Sequence, residues 1–225
     1  MLDNYLIICY STPNYDELTQ HFLNCLTTII VPKSNICMKR DIPPTHLLKS
    51  DGFQSDLWYY CLKTKLKHLI DSLIANKGKY DYYISSDCDI QFLHHNVEMW
   101  KYLEFYMEKN RKDIYFMREG TSDDVNGGFY IICNQNLYST INLLTEVYEE
   151  MLLTPHSEMP LGEQTIINNK IKGLNNIGKI PMDYVIWGLN IYNINMSLIH
   201  HAVCTSGMEK KKAQMKKVND YIENV

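Results

Sequence analysis

Asp87 and Asp89 flank a single cysteine in the run YYISSDCDIQFL. Carboxylates at i and i+2 on an extended backbone project to the same side. Two such anions repel unless a cation lies between or near them, and hard carboxylate oxygens suit Mg²⁺ or Mn²⁺. A cation held there can neutralise a diphosphate leaving group. The plain alternative is a polar turn after a strand. The apolar residues on both sides of DCD place the pair just past a buried strand, where open α/β sheets bind ligands.

Three further groups bear on the same chemistry. Asn126-Gly127-Gly128 directly precedes FYIIC, and paired glycines let backbone approach a ligand closely, or simply form a turn. Gly162-Glu163-Gln164 opens the helix-like run TIINNKI. Its carboxylate serves either a site or the helix dipole. His200-His201 stands shortly before Gly207-Met208-Glu209-Lys210. The histidines offer imidazole to a metal or form a buried hydrogen-bonded pair, and Lys210, Lys211 and Lys212 read by themselves as a solvated helix face. Trp187 could stack an acceptor ring or belong to the core.

These residues need elements to hold them. Tyr5 to Cys9 reads as a buried strand, followed by an N-cap arrangement at Asn14 and Glu17 and helical spacing of Leu18, Phe22, Cys25, Leu26 and Ile29. A strand near Thr27 to Val31 competes with that helix end. Ser55 caps a long helix carrying Leu62, Leu66, Leu69, Ile70 and Leu73, which Gly78 ends. Tyr80 to Ser85 is a strand running into Asp87. Asn96 caps a helix through Met107, strands follow at Ile114 to Met117 and Phe129 to Cys133, and Leu137 to Met151 is a helix. This alternation predicts one α/β domain over 1–225, with a mostly parallel sheet flanked by helices and a basic C-terminal helix at 213–225.

Composition narrows the function. The net charge is −4 with 22 Lys+Arg against 26 Asp+Glu, so nucleic acid is not held by bulk electrostatics. With 45% hydrophobic and 12% aromatic residues the chain can build a core. The N-terminus MLDNYLIICY lacks the features of a secretory signal. The uncharged stretch from Tyr184 to Met208 contains Asn190, Asn193, Asn195, His200 and His201, which argues against a membrane span. Seven cysteines at irregular gaps without a CxxC pair read as reduced thiols in a cytoplasmic setting, host cytoplasm or viral factory if the chain is viral.

In this order the motifs resemble the GT-A glycosyltransferases, specifically the retaining nucleotide-diphospho-sugar transferases that include the glycogenin-like enzymes. The match runs from Tyr10, Ser11 and Thr12 at the end of the first strand, through Lys65, ISSDCDI, NGGFYI and GEQTIIN, to His201, Gly207 and Lys210, roughly residues 5 to 212. The resemblance implies a Rossmann-like GT-A fold and metal-dependent hexosyl transfer from a nucleotide-sugar, most simply a UDP-sugar, to a sugar, glycan or glycosylated-protein acceptor. It implies Mn²⁺ or Mg²⁺ on Asp87, Asp89 and His201, with His200 as the register alternative. Tyr10, Ser11 and Thr12 would lie at the base, and Lys65, Asp87, Gly207 and Lys210 would also bind the donor. Asn126 and Gly127 would lie beside the sugar, and Glu163 and Gln164 near the anomeric carbon.

Departures mark a divergent member: Glu163-Gln164 stands where these enzymes usually carry Asp-Gln, and no Pro-Trp follows Lys210. Two rival functions use the same residues, a nucleotide-sugar hydrolase or other metal-dependent phosphohydrolase, and a non-catalytic binding module on the same scaffold.

Overall fold

The computed structural model describes residues 2–49, 52–191, 193–203, 205 and 207–224. Its strands are β1 (Tyr5–Ser11), β2 (Ile36–Arg40), β3 (Tyr82–Ser86), β4 (Ile90–Phe92), β5 (Ile114–Arg118), β6 (Val125–Cys133), β7 (Ile177–Lys179), β8 (Val185–Trp187) and β9 (Ile199–His201). The α-helices are α1 (Asp16–Thr28), α2 (Asp56–Ala75), α3 (Met99–Asn110), α4 (Leu137–Leu153), α5 (Glu163–Lys170) and α6 (Met208–Glu223).

Among the described residues the main sheet has six strands in the order β2-β1-β3-β6-β5-β7. Strands β2, β1 and β3 pair in parallel, as do β5 and β7, and β6 alone runs against its neighbours. The expected α/β architecture with a mostly parallel sheet is therefore the observed one. Alternation along β1 explains the layering. Tyr5, Ile7 and Cys9 face a core with Phe22 and Leu26 of α1 and Trp100 and Leu103 of α3. Leu6 and Ile8 face the other way, onto Leu66 and Leu69 of α2, Leu144 and Val147 of α4, and Ile166 of α5. Both sheet faces are covered, which is why strands β1 and β3 read as unbroken apolar runs. A second, three-stranded sheet, β4-β9-β8, continues the first core beyond Asp89.

Several local expectations differ from what forms. No strand forms near Thr27 to Val31, because α1 runs to Thr28 and Ile30 turns the chain at φ 62°. The strand comes later as β2, whose half-buried ICMKR at the sheet edge carries no long apolar run. Asn96 does not cap α3. Its Nδ2 donates to the carbonyls of Ile194 at 2.7 Å and Ser197 at 3.2 Å. Asn14 sits inside a short 3-10 turn that leads into α1, with no side-chain cap there. Ser55 does cap α2, accepting from the Trp58 N–H at 3.1 Å. The C-terminal helix begins at Met208 rather than 213.

Buried Asp113 fastens the sheet where β5 begins. Its two carboxylate oxygens accept from Asn136 Nδ2 at 2.6 Å and Asn176 Nδ2 at 2.7 Å. Asp113→Ala strips two side-chain amides of their buried acceptor, so stability should fall by about 1–3 kcal/mol. Denaturant unfolding would measure that loss.

Candidate active site

The reversed direction of β6 creates the site. It sets the beginning of β6, Asn126-Gly127-Gly128, beside the end of β3, and the Asp87 N–H donates to the Gly128 carbonyl at 2.8 Å. The chain then turns through Cys88 and Asp89 into β4, which pairs with β9 so that Ile90 faces His201. The Ala202 N–H donates to the Asp89 carbonyl at 3.1 Å, which ties the two segments together. Ligand atoms of Asp87, Asp89 and His201 all lie within 4.8 Å of one another. Asp87 and His201 line a cleft of about 730 Å³, reached also by Lys65, Glu119, Glu163, Gln164, Trp187 and Lys211, and Asp89 lines a smaller adjoining pocket of about 160 Å³.

Neighbouring residues on β9 face opposite ways. His201 Nε2 lies 3.4 Å from Asp89 Oδ1, and its ring meets Trp187 edge-on at 5.4 Å. Fully buried His200 turns to Gln91, with Nδ1 3.0 Å from Oε1, and burial pushes its pKa down to about 4. His200 is thereby held as a neutral packing residue.

Two lysines compensate the acids. Lys65 projects from α2 with Nζ 3.0 Å from Asp87 Oδ1 and 2.7 Å from Glu163 Oε1, and it donates to the Gly127 carbonyl at 3.3 Å. Burial alone would depress this ammonium, but Asp87 and Glu163 override it and hold its pKa above the usual lysine value. Glu163 moves the other way from an ordinary carboxylate: burial raises it, and Lys65 opposes the rise. At the second aspartate, Lys211 Nζ pairs with Oδ2. Burial would raise the Asp89 pKa, yet Lys211 and His201 hold it well below the usual carboxylate range.

Lys211, not Lys210, reaches the aspartate pair, and Lys210 is exposed on the first turn of α6. Helical period explains the difference and was readable: Met208, Lys211, Met215, Val218 and Ile222 share one stripe, of which Met215 and Val218 are buried. Gly207 caps this helix at φ 86° and lines the cleft.

Glycines set how closely these parts approach. A Cβ on Gly128 would lie 2.7 Å from His201 Cε1 and 3.1 Å from Asp87 Oδ2. Gly162 adopts φ +59°, and a Cβ there would lie 2.1 Å from Leu62 Cδ1. Its turn delivers Glu163 onto Lys65. Gln164 receives the Gly127 N–H at 3.1 Å and the Asn126 amide at 3.2 Å on Oε1. Glu119 Oε2 then accepts from Asn126 Nδ2 at 2.7 Å and Gln164 Nε2 at 2.6 Å. Glu119 escaped the sequence reading, although it lies in the Arg118 to Asp124 loop between two strands.

The smaller pocket is lined by Tyr10, Ser11, Thr12, Trp58 and Cys61. Behind Tyr10, Asp41, also missed, accepts from the hydroxyls of Tyr10 at 3.2 Å and Tyr60 at 2.9 Å. Ser11 Oγ donates to the Thr12 carbonyl at 3.3 Å and contacts Thr19 Oγ1. The structure thus brings Tyr10, Ser11, Thr12, Lys65, Asp87, Asp89, Asn126, Gly127, Glu163, Gln164, His201 and Gly207 to one connected cleft, and leaves Lys210 outside it.

No family model and no curated protein matches this sequence. Solved structures do. The chain is similar to a glycosyltransferase involved in the glycosylation of the major capsid of PBCV-1, with a TM-score of 0.64 and 10% identity over 93% of this chain and 99% of that one. It is also similar to the glycosyltransferase GlyE of Streptococcus pneumoniae TIGR4 in its apo form, with a TM-score of 0.57 and 12% identity over 94% of this chain. A second GlyE structure gives the same TM-score. This chain spans 59% of GlyE. The likeness shows the fold: the α/β architecture of these glycosyltransferases, the one that the GT-A resemblance implies.

Two expected outcomes follow from this geometry. Lys211→Ala leaves Asp89 uncompensated and should lower stability by up to about 3 kcal/mol, the low end for breaking a buried pair. Lys210→Ala should change it little, and thermal unfolding of the two variants would show the difference. Gly128→Ala forces its new methyl against His201 and should lower stability by about 1–3 kcal/mol. Combining it with His201→Ala should recover part of that loss.

Proposed function

We propose that the chain is a metal-dependent glycosyltransferase that moves a hexosyl unit from a UDP-sugar to a hydroxyl on a sugar, glycan or glycosylated protein, with retention. The observation that carries this reading is the convergence of Asp87, Asp89 and His201 beside Lys65, Glu163 and Lys211.

The residues fit a divalent cation. Asp89 Oδ1 and His201 Nδ1 are buried with no hydrogen-bond partner among the described residues. Carboxylates with one imidazole suit Mn²⁺ or Mg²⁺. Such an ion would supply charge neutralisation on the diphosphate. Lys211 reaches the same carboxylate from α6 and can add its point charge to the leaving group. The pocket beside Tyr10 and Thr12 takes the base, while Asn126 and Gly127 lie beside the sugar. Glu163 is tied to Lys65 at 2.7 Å, which engages the lone pairs a nucleophile needs. Front-face attack, with the leaving phosphate taking the acceptor proton, agrees with that arrangement. Glu163 and Gln164 then orient sugar hydroxyls.

No disulfide joins the six described cysteines, and no described helix is long and apolar enough to cross a membrane. A reducing, cytoplasmic setting belongs to the same reading.

EDTA should abolish transfer and Mn²⁺ restore it, and Asp89→Asn should slow it by about 10²–10³, the scale of losing one preorganised electrostatic partner. Unchanged rates in that variant or in chelator would remove the metal assignment. Measuring free sugar with and without acceptors separates transfer from hydrolysis.

A further inference from the structure

The mouth of the cleft carries apolar surface that the donor does not account for. Phe53 is 62% exposed and leans on Trp58 at 4.8 Å between ring centroids, and Leu161 is 44% exposed nearby on the same cleft. Gln54 Nε2 donates to the Pro160 carbonyl at 3.0 Å, so the loops bearing Phe53 and Leu161 are fastened together. Trp58, Leu62 and Lys65 lie on one face of α2 at i, i+4 and i+7. Two helical turns, about 10 Å, therefore separate the aromatic pair from the lysine that holds Asp87 and Glu163. That span accommodates the transferred sugar, so a ring resting on Phe53 belongs to the other substrate.

Charge in the cleft indicates what that substrate is. Asp87 and Glu163 share Lys65, and Asp89 has Lys211. Glu119 lines the cleft with no ion-pair partner among the described residues, its Oε2 oriented by the Asn126 and Gln164 amides. An exposed aromatic face together with an uncompensated carboxylate suits a molecule with an apolar C–H face and hydroxyl donors, not a hydrophobic or an anionic one.

We propose that Phe53, backed by Trp58, is the stacking platform for a pyranose ring of a saccharide acceptor, whose hydroxyls donate to Glu119. This rests on the glycosyltransferase reading and adds to it the side chains that recognise the acceptor ring and its hydroxyls.

The test uses the full chain with UDP and Mg²⁺ in saturation-transfer NMR, against methyl glucosides, methyl galactosides, maltose, cellobiose and lactose. At least one should show transfer to its ring C–H protons. Phe53→Ala should weaken that saccharide by up to about tenfold, the scale of one aromatic contact, while Phe53→Trp retains it. Glu119→Gln should weaken it with the ring contact kept. UDP affinity, read by calorimetry, should be the same in wild type and Phe53→Ala. Saccharide contact that persists unchanged in Phe53→Ala overturns the platform. So does a wild-type protein that binds UDP but none of these saccharides. Failure of wild type to bind UDP would sink the glycosyltransferase reading itself, and the platform with it.

Discussion

Negative charge concentrated at the end of one strand is the constraint from which the rest of the site follows. Asp87 and Asp89 leave β3 within one turn, and Glu163 is packed against the same point from α5. Burying three carboxylates together is prohibitive unless cations and donors surround them. Lys65 answers for two of them and Lys211 for the third. These lysines come from helices far apart in sequence, so α2 and α6 are bound to the sheet by charge as well as by packing. The apolar stripes of both helices serve this end: Leu66 and Leu69 seat α2, and Met215 and Val218 seat α6.

Close approach is the second requirement, and backbone direction supplies it. A parallel strand in the place of β6 would bring its far end, Cys133, beside Asp87, instead of Gly128. Reversal puts the residue without a side chain where Asp87 and His201 converge. The amide relay then runs outward from the same strand, from Asn126 and Gly127 through Gln164 to Glu119. One strand direction thus fixes both the carboxylate floor and the orientation of the polar wall above it.

The elements legible in the sequence were those whose signal is local. Buried strands β1 and β3, the Ser55 cap and the motifs DCD, NGG and EQ all depend on neighbouring residues. What escaped depends on long-range company. β2 is an edge strand with half-buried residues, and β4, β7 and β8 are three residues each, too short for any periodicity to register. Asp41 and Glu119 are ordinary loop acids until the tyrosines and amides that face them are brought up by other elements. Lys211 is the instructive case. Three consecutive lysines look alike, and only the stripe through Met215 and Val218 tells which one turns inward.

On the proposed reading, charge balance would link donor and cation. The acids reaching the two joined pockets are Asp87, Asp89, Glu119 and Glu163, and the lysines are Lys65 and Lys211, a formal balance of −2 over these six side chains. A nucleoside diphosphate entering such a site would meet net repulsion. One divalent cation cancels the balance, and each ligand then lowers the electrostatic barrier to the other. By linkage, a cation would then bind more tightly with the nucleotide present, by the same factor that the nucleotide would gain from the cation. Lys211 sits at the centre of this exchange. Lys211 pairs with Asp89, and on the proposed reading a cation on that carboxylate would free its ammonium for the diphosphate. The lysine that stabilises Asp89 would then be the one that meets the charge of the leaving group.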